Sequence, residues 1–410
     1  MDRRSFLSLF TMLPVVARSS LACSEGSAPA PLGYRRTNWS RDPYAFGSYS
    51  YVAKGSGDRD RVIASAPIAG RVYFAGEALN PKYQSTVHAA HESGLATAEM
   101  VIARQHRRVA VIGAGMSGLT AAHALAGQGC DVTVCEARDR IGGRIWTDRG
   151  LPTPLDLGAS WIHGPDGNPL TDLADRAGLE RVVTEDSAVV RVKAGRTSPW
   201  SLRPGWLHEL EWSVSSGTEA ETLNMKELMA SYAARGSGYE GEDVTFTNGY
   251  DEIFRVLEGG YETLLSTRVT RIAWSDDGVE VGIAEGEPRR FDAVIVTLPL
   301  GVLKQDRVAF EPGLSHERRQ AISRMGMGTL DKLYLHYEEA FWERGVSWIY
   351  TTHTDLPRGR FNVWFNLHKY TGVPVIMALI GGRHARALAG LSDDELVAQA
   401  RGVLELNYGS

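Results

Sequence analysis

The chain has 410 residues, 43% of them hydrophobic, ample for a buried core and two domains. A formal net charge of −5 excludes a nucleic-acid binder that relies on bulk positive charge. Its three cysteines, Cys23, Cys130 and Cys135, make no CxxC pair or Cys/His cluster, so no zinc site and no other metal is expected.

In chain order, the first feature is Met1-Asp-Arg-Arg-Ser-Phe-Leu7, followed by a short apolar run from Phe6 to Ala17 that Pro14 interrupts. The run is too short to cross a bilayer. Arg3-Arg4 with Phe6-Leu7 is similar to a twin-arginine export signal, and Ser20-Leu-Ala22 has the small-x-small pattern of a cleavage site. The expectation is an exported protein, periplasmic or secreted; a lipid anchor on Cys23 is the weaker alternative, because Leu21 stands one place too close. Residues 24–31, rich in Ser, Gly, Ala and Pro, read as a linker. No other segment is long and apolar enough for a membrane helix.

The central signal begins at Arg108-Val-Ala-Val-Ile-Gly-Ala-Gly-Met-Ser-Gly-Leu119. Val109–Ile112 is a continuous apolar run, as a buried parallel strand requires. Gly113 allows the turn, Gly115 lets backbone approach a pyrophosphate, and Gly118 lets helix pack on strand. A helix is predicted from about Ser117 to Gln128, its N-terminus toward the phosphates. The next strand, Val132–Cys135, ends at Glu136, 23 residues after Gly113, close to the spacing of an acid that accepts from a ribose hydroxyl. An extended strand also keeps Cys130 and Cys135 apart, so both read as small hydrophobes.

Residues 208–243 carry eight acidic side chains, Glu240, Glu242 and Asp243 among them, against Lys226 and Arg235. Such a stretch reads as a solvated helical face or as a surface that attracts cations, the two being equal readings. Near the C-terminal side, Leu333, Leu335 and Tyr337 alternate with Lys332, Tyr334 and His336 as in a strand.

The run Glu136-Ala-Arg-Asp-Arg-Ile-Gly-Gly-Arg144 resembles the second motif of the glutathione-reductase-like flavoproteins, and Asp156-Leu-Gly-Ala-Ser-Trp-Ile-His-Gly164 continues a pattern found in flavin-containing amine oxidases. Thr267-Arg-Val-Thr-Arg-Ile272, Ala293–Leu303 and Met327-Gly-Thr-Leu-Asp-Lys332 match further blocks. With Arg71–Leu79 and Ser85-Thr-Val-His88, they make the chain resemble the polyamine oxidase and lysine-specific histone demethylase branch of that family, from about residue 29 onward.

The resemblance implies non-covalent FAD, since no cysteine stands between Cys23 and Cys130. It assigns Gly113, Gly115, Gly118, Glu136, Arg138, Gly143, Arg144, Gly158, Ala159, Ser160, Trp161, Val269, Glu77, Thr86 and Val87 to the cofactor. Thr86 and Val87 are to open a helix facing the flavin pyrimidine. Lys332 is implied as the lysine whose water bonds flavin N5, and Tyr83 as one wall of an aromatic cage. Trp364 or Phe365 is the candidate for the opposite wall, a core strand being the competing reading. His163 is a polar residue near the cavity or a structural histidine.

The implied fold is α/β in two domains: a glutathione-reductase-like FAD-binding Rossmann domain, and a substrate domain of mixed sheet and helices. The motifs before Gly113 close the chain in such relatives, so the order is read as circularly permuted, the old ends fused at about 102–108, with the tail of one gene copy joined to the head of the next as the alternative. The division expected is 1–27 as signal and linker, 44–164 plus 240–305 for FAD, and 28–43 plus 165–239 plus 306–410 for substrate. The implied activity is oxidation of an amine's C–N bond by hydride transfer to flavin N5, with dioxygen reduced to hydrogen peroxide. A desaturase or amino-acid oxidase of the same fold, and a non-catalytic flavoprotein, are the alternatives.

Overall fold

A computed structural model of the protein describes residues 28–199, 238–351 and 360–409. The export motif, Cys23 and most of the acidic stretch 208–243 lie outside them.

Five parallel strands form the first sheet, in the order Glu262–Leu264, Asp131–Cys135, Arg108–Ile112, Ala293–Val296, Val72–Phe74. Because side chains alternate along a strand, Val109 and Val111 enter one core and Ala110 and Ile112 the other. The first core is closed by the helices Val87–Ala103 and Met116–Gly127, through Ala98, Val101, Leu119 and Leu125. The second is closed by a four-stranded sheet in the order Arg289–Phe291, Gly278–Ile283, Val269–Ser275, Ala309–Glu311. Val72–Phe74 precedes Arg108 in the chain yet pairs with Ala293–Val296, so this front segment is part of the sheet.

A seven-stranded sheet makes the other half, in the order Gly33–Arg36, Leu330–His336, Val375–Gly381, Val363–Asn366, Trp348–Thr351, Val189–Lys193, Arg196–Pro199. Leu333, Leu335, Ile376 and Ala378 pack one face onto the helix Asp393–Tyr408. Tyr334, Tyr350, Phe365, Met377 and Leu379 lie on the opposite face, toward the first half. Gly33–Arg36 pairs with Leu330–His336, which builds a second front segment into this sheet.

Two stretches fall differently from the expected division. Ala309–Glu311 pairs with Arg271–Ala273, and Leu314, Ile322 and Met325 join the core of the parallel sheet. The helix Pro169–Arg176 likewise puts Leu170, Leu173 and Ala174 into the core that Val109 and Val111 enter. Residues 169–176 and 309–325 therefore go with the nucleotide half, because their apolar faces are covered there.

Candidate active site

The carboxyl ends of the parallel strands open on a cavity of about 2140 Å³ that runs on to the face of the seven-stranded sheet. Ligands bind at this edge of open α/β sheets. Gly113, at φ +108°, makes a turn that a side chain would strain. A Cβ on Gly118 would stand 1.9 Å from Gly113 O, so only glycine lets the helix start there. At Gly115 an added Cβ meets nothing nearer than Gly142 O at 4.0 Å, which leaves room for a ligand. Ser117 Oγ is buried beside this opening with no hydrogen-bond partner among the described residues. The helices Met116–Gly127 and Val87–Ala103 both begin at the cavity. Open glycine, orphaned hydroxyl and two helix N-termini fit a dinucleotide pyrophosphate.

Glu136 accepts from the Ala114 N–H at 2.7 Å and the Arg138 N–H at 2.9 Å, keeping a lone pair on each oxygen for a ribose hydroxyl. Arg138 binds Asp42 at 2.6 Å and lies over the Tyr44 ring at 5.2 Å. Val269 lines this end of the cavity, as do Gly143, Gly158 and Ala159 farther along.

Glu77 is buried and fully engaged. Its carboxylate accepts from Arg144 at 2.8 Å, from Ser50 N and Oγ at 3.2 and 2.6 Å, and from Ser85 N at 3.0 Å. Burial would push its pKa up, but the Arg144 guanidinium and these bonds outweigh it and hold the carboxyl below its usual range. Glu77 thus ties Arg144 to the turn before the helix at Val87. Thr86 spends its hydroxyl on the Ala89 N–H as the helix cap.

Lys332 is buried, with Nζ donating to Asp156 O at 2.7 Å, to Gly158 O at 2.6 Å and to Ser160 Oγ. The Trp161 ring lies 5.4 Å from Nζ. Burial lowers the lysine pKa against the pull of Asp156. Burial raises that of Asp156, although Thr147 Oγ1 at 2.6 Å and Tyr250 N at 3.0 Å both donate to its carboxylate. Nζ thus has three protein oxygens within hydrogen-bond distance.

Tyr83 stands on one side of the cavity, edge-on to His88 with centroids 4.9 Å apart and beside Tyr239 at 5.4 Å. Tyr239 donates to Glu92 at 2.6 Å, and burial lowers the His88 pKa to about 4, so this imidazole is neutral. On the other side Trp161 stacks on Trp348, centroids 5.9 Å apart, and Tyr350 lines the cavity next to it. The expected wall is corrected by one strand. Trp364 points to the opposite face of the sheet, fully buried, donating to Phe361 O at 2.9 Å and Thr351 Oγ1 at 3.1 Å. Phe365 is on the near face but packs against Trp161 and Trp348, at 5.3 and 4.8 Å, as their support.

At the rim, the exposed His163 pairs with Asp243 at 2.5 Å. Burial pushes the Asp243 carboxyl up, and the His163 bond more than offsets it. Asp186 accepts from Trp348 Nε1 at 2.9 Å and is raised by burial. Trp348, Tyr350, Tyr239, His88 and Asp186 escaped the sequence reading. The alternation Trp348-Ile-Tyr350 was the available signal for two of them. Among the described residues, no group of His, Cys, Asp and Glu is gathered for a metal, and no helix is long and apolar enough to cross a membrane.

The family model for flavin containing amine oxidoreductase matches residues 16–102, 116–211 and 208–409. Polyamine oxidase 4 of Oryza sativa subsp. japonica is 31% identical over 351 residues, 70% of this chain and 70% of that protein. Lysine-specific histone demethylase 1 homolog 3 of Arabidopsis thaliana is 27% identical, covering 80% of this chain and 27% of that one. Among solved structures, cyclohexylamine oxidase from Brevibacterium oxydans IH-35A shares the fold, with a TM-score of 0.56 at 23% identity over 74% of this chain and 82% of that one.

Proposed function

The chain belongs to the flavin-containing amine oxidoreductases, and from that premise we propose that it is an FAD-dependent oxidase of polyamines or related primary and secondary amines. One observation carries the reading. A single cavity joins the Gly113–Gly118 turn and Glu136 to the buried Lys332 and the rings of Tyr83, Trp161 and Trp348. The glycine turn, Ser117, Arg138 and Glu136 would hold the adenosine and pyrophosphate, and the start of the helix at Val87 would face the ring end. Bound FAD supplies acceptance of a hydride equivalent from the carbon beside the amine nitrogen, and reoxidation by dioxygen to hydrogen peroxide.

The residues do the rest. Aromatic walls desolvate the amine and favour its neutral form, whose lone pair assists hydride departure. Lys332 puts a cationic centre where electron density collects. Asp186 and Asp243 add carboxylates to the cavity wall, which supports a substrate with a further ammonium group. Water then opens the imine to an aldehyde and a smaller amine or ammonia. FAD is read as non-covalent: Cys135, at the Glu136 end, has a thiol that burial pushes up to about 11, and acid precipitation should release the flavin.

The rotated order belongs to the same reading. It is supported by the way Gly33–Arg36 and Val72–Phe74 are each built into one of the two sheets. A gene rearranged to place residues 107–410 before 28–106 should give the same flavin spectrum. Export follows from Arg3-Arg4, and replacing both by lysine should retain the protein in the cell.

Anaerobic titration with spermine, spermidine, putrescine, aromatic monoamines and amino acids tests the function. Bleaching of the flavin by a polyamine is expected. Bleaching by amino acids alone would replace the reading with an amino-acid oxidase.

A further inference from the structure

Two of the three oxygens around Lys332 Nζ, Asp156 O and Gly158 O, are peptide carbonyls, which only accept. Neither can donate to an amine lone pair, so whatever the lysine's charge an N–H and not the lone pair faces each of them. The third neighbour, the Ser160 hydroxyl, accepts or donates. A charged Lys332 gives its third N–H to Ser160 Oγ, while Ser160 gives its own hydrogen to Asp156 O at 3.2 Å. A neutral Lys332 has a lone pair there, and the serine hydrogen turns to it. Both protonation states keep the bonds to Nζ, and the proton that distinguishes them lies toward a residue that lines the cavity.

The charges around the amine are few. The Asp156 carboxylate favours the ammonium, with Asp251 beyond it. The Trp161 face adds to the same side. Tyr334, on the lysine's own strand, donates to Asp156 O at 2.7 Å. On the neighbouring strand Arg35 is drawn off to Asp148 and Arg36 to Asp393, and Val375–Gly381 brings no charge. Burial opposes the ammonium.

We propose that Ser160 is the proton relay through which Lys332 exchanges its proton with the cavity. An incoming alkylammonium passes a proton to Ser160 Oγ as Ser160 passes its own to the lysine lone pair, giving a neutral amine and a Lys332 ammonium. The step conserves charge and makes the amine the form that the chemistry requires. It rests on the reading of the cavity as an FAD and amine site.

The test is a pH titration of the substrate-free holoenzyme, followed through the flavin spectrum, in the parent and in Lys332→Met, Ser160→Ala, Ser160→Cys and Ser160→Thr. The parent should show a transition that Lys332→Met abolishes. In Ser160→Ala an ammonium N–H loses its acceptor, so the transition should move to acid by about one pH unit or more. The acid limb of anaerobic flavin reduction by spermidine should move with it. Ser160→Thr should stay with the parent. Ser160→Cys, with a weaker acceptor, should shift in the same direction by less, and serves where the alanine variant does not hold flavin. A parent without a Lys332-dependent transition overturns the proposal, as does one unmoved in Ser160→Ala or moved equally in Ser160→Thr. Retention of flavin and its bleaching by amine in the parent test the functional reading separately.

Discussion

The two ends of the cavity are built in different ways. At the nucleotide end the determinants are consecutive: Gly113, Gly115 and Gly118 shape one turn, and Glu136 closes the next strand. At the end we propose for the amine they come from segments far apart in the chain, Tyr83, Ser160, Tyr239, Lys332 and Trp348, which line one cavity. A phosphate is recognised by backbone at close range, which demands glycines at fixed spacing. An amine beside a flat ring is confined by side chains, and any strand that reaches the cavity can contribute one.

This contrast sets the order of the predictions. Gly118→Val should have the largest effect, since its Cβ would meet Gly113 O at 1.9 Å. The flavin-to-protein ratio should fall to near zero, and a variant that keeps FAD would break the assignment of the nucleotide end. Lys332→Met should retain FAD yet slow anaerobic flavin reduction by about 100-fold. An unchanged rate would remove the lysine from the site.

Glu77→Gln leaves Arg144 half-buried without its partner and should cost about 3 kcal/mol in urea unfolding. The pH dependence has a definite sign. The Glu77 carboxyl titrates lower folded than unfolded, so its contribution is full above the unfolded value of about 4.3 and lost as pH falls through the folded value. Melting temperatures of the parent should therefore drop more steeply than those of Glu77→Gln as acid is added below about pH 4.

The most discriminating comparison separates two tryptophans of the same sheet. Trp348→Ala should raise KM for a polyamine about tenfold with little loss of stability. Trp364→Ala should destabilise by roughly 3–5 kcal/mol and leave KM unchanged. The reverse pattern would restore Trp364 to the cavity wall.

Much of the nucleotide end was legible because its chemistry is local. The helix expected at Ser117 begins at Met116, and the one expected at Thr86–Val87 has Thr86 as its cap. Lys332 was singled out by its block alone, since the strand alternation is neutral about its role, and it lines the cavity from the strand Leu330–His336. The wall opposite Tyr83 was not. Trp364 and Phe365 are adjacent, so they face opposite sides of the strand, and only the register of Trp348 against Phe365 reveals which side the cavity takes. The division between halves was misread at 309–325 for a related reason. The apolar face of that segment is covered by residues more than two hundred positions earlier, Val72 and Phe74, and periodicity carries no record of such a partner.

The central claim is that both ends belong to one working site, and a single-turnover measurement tests it most directly. Purified holoenzyme mixed anaerobically with spermidine should lose its flavin colour, then regain it on admission of oxygen with stoichiometric hydrogen peroxide. Retained FAD that neither spermidine nor any other amine bleaches would contradict the account, leaving a nucleotide site with no amine site joined to it.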